Sequence, residues 1–161
     1  SFGVCAYNFD RVPITGRYRV IFTDPETEVQ IAKAWAEKKR EEYQNAGQIL
    51  HPKDPRRVRV EKVVNRLLKA LDSDYFHRHL DMNVVKNLTF NITVVDNPVT
   101  NAFVLPDGSI FVFTGILPLC DSPTDDKLAV ILGHEIAHAL LRHGFEAVSA
   151  GNVWKKMYFE R

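Results

Sequence analysis

The sequence predicts an α+β domain: helices first, then a small, mostly antiparallel sheet with a hairpin, then one buried helix. Three observations support this. Two stretches in the front half place apolar residues at helical spacing behind an Asp-Pro pair. Residues 87–115 switch to strand-like alternation and β-rich runs, broken at Pro106-Asp107-Gly108. From Ser122 onward the pattern is helical again, now apolar on nearly every side. The chain has 161 residues, enough for one domain with a proper core, and shows no internal repeat or linker.

Residues 1–22 read as an irregular arm, a turn carrying Pro13 and Gly16, and a short strand over Arg17–Phe22. The first helix follows, with Asp24 as cap, Pro25 in its first position and Gly47 at its end. Its apolar stripe is Val29, Ala32, Trp35 and Ala36. The second begins in the same way at Asp54-Pro55, and its stripe is Val60, Val63, Val64, Leu67, Leu68 and Leu71. Leu88, Phe90, Ile92 and Val94 alternate with polar neighbours as a strand does. Two β-rich runs around Pro106-Asp107-Gly108 form the hairpin. The last helix takes Ser122 as cap and Pro123 as first residue.

Composition narrows the function. Lys plus Arg number 21 and Asp plus Glu 20, so bulk attraction to nucleic acid is not expected. The two cysteines, Cys5 and Cys120, form no C-x-x-C motif, which removes a cysteine zinc knuckle or a thioredoxin-type site; a single long-range disulfide and two buried thiols both remain open. No run reaches the roughly 20 apolar residues of a membrane-spanning helix. The chain opens at Ser1, as expected of a processed product or part of a longer protein, so an anchor or targeting signal would lie outside it.

The chemistry concentrates on the last helix, where His134, Glu135 and His138 stand in the order His-Glu-x-x-His. Four residues of helix advance about 400°, a net 40° or so, which puts both imidazoles on one face, one turn apart. Two such nitrogens can share one Zn²⁺. Glu135, about 100° round from His134, is placed to act on a metal-activated water as general base and to pass its proton to a leaving amine. Polar side chains in so apolar a helix need partners, and a metal supplies them.

A third ligand is harder to find. His143 falls about 180° from His134 on a continuous helix. It suits the helix C-terminus, where a cation is favoured, or a supporting or regulatory role beside the metal. Glu146 lies about 12 Å beyond His138 along the helix, too far to share its metal. Glu160 is the remaining, weak candidate, on a segment that would have to turn back.

The stretch Leu132–Gly144, "LGHEIAHALLRHG", preceded by "NAFVLPDGSIFVFTGIL", resembles the gluzincin zinc metallopeptidases that include HtpX, the CAAX prenyl proteases and the Oma-type mitochondrial inner-membrane peptidases. "PITGRYRVIF" and "ITVVDNPVTNAFVLPDG" bring it nearest to the Oma type. The resemblance runs over nearly the whole chain but covers only the front part of such a catalytic domain. It implies a zincin-like fold, one Zn²⁺ on His134 and His138, Glu135 as catalytic base, and a third ligand, a Glu, on a later helix. It also implies an endopeptidase acting on membrane-associated or misfolded proteins in mitochondrial quality control, held at the inner membrane by segments outside these residues. A gluzincin cleft holds its substrate as an added strand; Ser109, Ile110, Phe111, Val112 and Phe113 are the expected edge. The alternative is a catalytically incompetent relative or fragment serving as a structural subunit of a larger mitochondrial assembly.

Three weaker signals read as ordinary surface. His77-Arg78-His79 is a solvated pair. Nine Lys/Arg against five Asp/Glu between Lys33 and Lys62 form a solvated helix face, with an anionic membrane surface as the other reading. Asn87-Leu-Thr89 and Asn91-Ile-Thr93 match the glycosylation pattern, which matters only on a secreted protein.

Overall fold

A computed structural model of the chain describes residues 9–12, 17–20 and 25–142. The elements are β1 (Phe9–Val12), β2 (Arg17–Val20), α1 (Pro25–Asn45), α2 (Pro55–Ala70), α3 (Asp74–His79), α4 (Met82–Asn87), β3 (Ile92–Val95), β4 (Ala102–Val104), β5 (Ile110–Phe113), a 3₁₀ helix over Thr114–Cys120, and α5 (Asp126–Arg142). The α+β class stands. The front of the chain is less irregular than expected, because β1 pairs antiparallel with β2, Phe9 opposite Val20 through Val12 opposite Arg17.

Local chemistry sets the helix ends. Asp54 caps α2, its carboxylate accepting from the Arg56 N–H at 2.9 Å, with Pro55 in the first turn. After α1, Gly47 takes φ 67°, the left-handed conformation that ends helices. The chain then reverses and lays Gln48–Leu50 along β3: Leu50 N–H donates to Val94 O and Asp96 N–H to Gln48 O.

The sheet order is β3-β5-β4. β4 and β5 form the expected hairpin, with Ala102 opposite Val112 and Val104 opposite Ile110. β3 and β5 run parallel, Ile92 beside Ile110 and Val95 beside Phe113, the one parallel pairing among the described strands. This order overturns one expectation. β5 lies in the centre, bonded on both sides, so Ile110–Phe113 and the adjoining Ser109 cannot be the docking edge. Every residue of β5 is buried, because "IFVF" is apolar at both phases of the pleat, as a strand covered on both faces requires. With β3 flanked by Gln48–Leu50, β4 is the outer strand among the described residues.

Alternation along the strands sorts two cores. Val94, Ala102, Val104, Ile110 and Val112 face α2 and α5, whose Val60, Val63, Val64, Leu67, Leu128, Leu132 and Ile136 complete the larger one. Val95, Phe111 and Phe113 face α1 through Ala36, with Tyr43 and Phe103 packed against them. The α2 stripe is buried as expected, apart from half-buried Leu68. Gly115 has no room for a side chain, since a Cβ there would lie 2.1 Å from Pro98 O; the loop from Asn97 to Thr100 crosses directly over it. Among the described residues no helix is long and apolar enough to cross a membrane.

Candidate metal centre

The helix carrying the motif starts later than its caps suggested. Ala129 N–H donates to Asp125 O, which opens α5 at Asp126, and the Ser122 hydroxyl turns instead to Thr124 O. Arg59 on α2 fixes this start. Its Nε donates to the Asp125 carboxylate at 2.7 Å and its Nη2 to Cys120 O at 2.9 Å, tying α2, the 3₁₀ helix and α5 together. Burial pushes the nearby Cys120 thiol above its ordinary pKa.

Nor is α5 buried all round. Leu128, Leu132, Ile136 and Leu140, one turn apart, are at most 1% exposed and form its inner side. Val130 and Ile131 are half-buried and His134 is exposed, so a partly open stripe runs opposite. The motif straddles the two. His134 and the half-buried His138 project from the open stripe with Nε2 atoms 2.9 Å apart and ring planes crossed at 83°. Glu135, only 2% exposed, lies on the buried flank beside Leu132 and Ile136.

The donor set fits a metal. Two nitrogens 2.9 Å apart are within the span that two Zn–N bonds of about 2.0–2.1 Å can bridge from a single ion. Both are Nε2, the outer ring nitrogens, which leaves each Nδ1 to orient its ring. Among the described residues no group of three His, Cys, Asp or Glu side chains comes together. His143, Glu146 and Glu160 lie outside the described residues. His77 and His79 separate: His77 meets Asp72 at 3.1 Å, while His79 stacks on Tyr75 and bonds its carbonyl.

The substrate edge is what sequence reasoning misplaced. β4 packs against α5, the helix that carries the motif. Phe113 N–H bonds Asn101 O, and Leu105 N–H bonds Ser109 O. By antiparallel alternation, the backbone groups of Ala102 and Val104 therefore point away from β5, toward the outer side. Both residues are buried, at 1% and 4% exposed, so that outer side is covered. The signal was present in the sequence: the longer continuous apolar run of β5 marks an inner strand, whereas β4 is only three residues long.

The described residues thus bring His134 and His138 together on α5, against which β4 packs. Residues 58–159 match the model of peptidase family M48, and the chain belongs to that family. It is 30% identical over 164 aligned residues to the mitochondrial metalloendopeptidase OMA1 of Saccharomyces cerevisiae, an alignment covering 95% of this chain and 44% of the relative. It is 38% identical to the mitochondrial metalloendopeptidases OMA1 of Bos taurus and Homo sapiens, over 85% and 83% of this chain and 24% and 23% of theirs. The chain thus spans less than half the length of these relatives.

Proposed function

We propose that these residues form the front part of the catalytic domain of a zinc-dependent endopeptidase. One observation carries the reading: His134 and His138 present two Nε2 atoms 2.9 Å apart on the open stripe of α5. His134 and His138 hold one zinc, with a third ligand supplied outside the described residues, where Glu160 is the candidate. Bound zinc supplies Lewis-acid polarisation of the scissile carbonyl and acidifies water. Glu135 takes the proton from the attacking water and returns it to the leaving amine. β4, which packs against α5, is the strand beside which a substrate chain would lie.

By likeness to the OMA1 relatives, the substrates are membrane-associated or misfolded polypeptides, met at the mitochondrial inner membrane in protein quality control. The test uses the full-length protein and its Glu135→Gln variant, measuring bound zinc and peptide hydrolysis. Stoichiometric zinc in both, with hydrolysis lost in the variant, supports the reading. Absence of zinc at saturating metal would overturn it and leave the structural subunit as the surviving account.

A further inference from the structure

The outer face of α2 carries charge that neither the fold nor the hydrolytic step uses. Residues 55–70 hold six cations, Arg56, Arg57, Arg59, Lys62, Arg66 and Lys69, against one acid, Glu61. Three of the six are answered: Arg56 by Asp54 and Asp96, Arg57 by Glu61, and Arg59 by Asp125. Lys62, Arg66 and Lys69 are exposed and form no ion pair with a described residue. Their spacing, four residues and then three, puts them on one side of the helix. Glu61 is about 100° round from Lys62 and is held by Arg57. At the start of α5, the exposed Asp126 and Lys127 are adjacent and offset each other.

That side borders the motif helix. Arg59 bonds Asp125, and Leu67 Cδ2 lies 3.5 Å from where a Cβ on Gly133 would stand. Each pair is separated by 66 positions, so α2 and α5 run side by side in the same direction, with Arg66 level with Leu132. Arg66 follows Arg59 by almost two turns and so projects from the same flank of α2, the one facing α5. Beside it on α5 runs the partly open stripe of Val130, Ile131 and His134. With the axes of packed helices about 8–10 Å apart, a few extended residues reach from one to the other. We propose that Lys62, Arg66 and Lys69 form an electrostatic docking strip for an acidic segment of the polypeptide substrate, alongside the stripe that carries His134. An Asp or Glu there meets three positive charges and no opposing acid on the same side. The strip has no aromatic or long aliphatic side chain to enter a bilayer, only Val58 and Asn65 between and before its cations, which favours a peptide over a lipid surface. The strip rests on the peptidase reading, which makes the bound acidic chain a substrate.

The test compares one cleavable peptide flanked by Asp residues with the same peptide flanked by Asn, using the full-length protein. The wild type is expected to favour the Asp form by about tenfold in kcat/KM at low salt, with the difference in KM rather than kcat. The advantage shrinks as salt is added, because the Debye length falls from about 30 Å at 0.01 M to about 10 Å at 0.1 M. Lys62→Glu, Arg66→Glu and Lys69→Glu together reverse the preference, and Arg66→Lys keeps it. Lys33→Glu with Lys38→Glu, two exposed changes on α1, leaves the ratio in place. A wild-type ratio near one, a ratio unmoved by the triple variant, or an equal loss in the α1 variant overturns the strip. So does a triple variant that loses binding to phosphatidylserine vesicles while its peptide ratio stays, which would assign the charge to lipid. Affinity of both peptides for Glu135→Gln reads the strip without hydrolysis. If that variant cleaves as fast as the wild type, the peptidase reading falls, while the affinity difference still decides whether the strip binds acidic chains.

Discussion

The two faces of the three-stranded sheet are built from different side chains. Toward α2 and α5 the strands offer Val94, Ala102, Val104, Ile110 and Val112, small or branched and stiff at χ1. Two helices close over them, and the inner side of α5 repeats Leu or Ile at each turn. Toward α1 the strands offer Phe103, Phe111 and Phe113, met by a single helix through Ala36, Trp35 and Tyr43. The aliphatic face is deep and closed, suited to fixing two imidazoles and a carboxylate in position. The aromatic face is held at fewer points, with cationic side chains lying over it, Lys39 on Trp35 and Arg40 on Phe111, and it stays open at one end. The first face carries the helix with the motif, and the second leaves aromatic surface in solvent at Trp35.

Substitutions can break this contrast or sharpen it. The largest effect is expected from Glu135→Gln, a loss of about 10²–10⁴-fold in kcat with zinc content and melting temperature kept. Equal activity would place the chemistry elsewhere. Next, Ile136→Ala hollows the closed face and should cost about 2–5 kcal/mol in urea denaturation, whereas Trp35→Ala, at the open end, should cost much less. Equal costs would erase the distinction between the faces. Gly115→Ala pushes a methyl against the Pro98 carbonyl and should destabilise by about 1–3 kcal/mol. Arg59→Ala releases the start of α5 from α2. Its pair with Asp125 is partly exposed, so the loss should be near 1 kcal/mol or below in the same measurement.

The smallest effect is a pH dependence. The Arg56 side chain and backbone hold the Asp54 carboxyl below its ordinary value of 3.8. A depressed folded pKa contributes stability above about pH 4 that fades as pH falls further. The melting-temperature gap between wild type and Asp54→Ala should therefore be larger at pH 7 than at pH 3.

Much of this architecture could be read from the residues. Asp54-Pro55 and the six-residue stripe after it located α2 and its buried face, and Pro106-Asp107-Gly108 located the hairpin; Gly108 takes φ 90° there. Each is a local rule that tertiary packing did not override. Strand order was not legible in the same way, because neighbours across a sheet are set by long-range pairing: nothing near Ile92 announces that it lies beside Ile110. α3 and α4, six residues each, are too short to carry a period. The start of α5 was misjudged because Ser122-Pro123 imitates a cap, while Asp125, held by Arg59, makes the first helical bond. The His-Glu-x-x-His spacing did foretell that His134 and His138 meet. It could not foretell that His134 lies on a partly open side of α5, because the residues around the motif are apolar on nearly every side.

β4 is only three residues long. At about 3.3 Å per residue, a partner strand matching it runs extended for roughly 10 Å. Folded proteins seldom offer that much backbone unclaimed by their own sheets and helices. So short a template would suit, in the proposed role, a polypeptide that has locally come apart. In the proposed role, the length of one strand would make this chain a gauge of damage in other proteins.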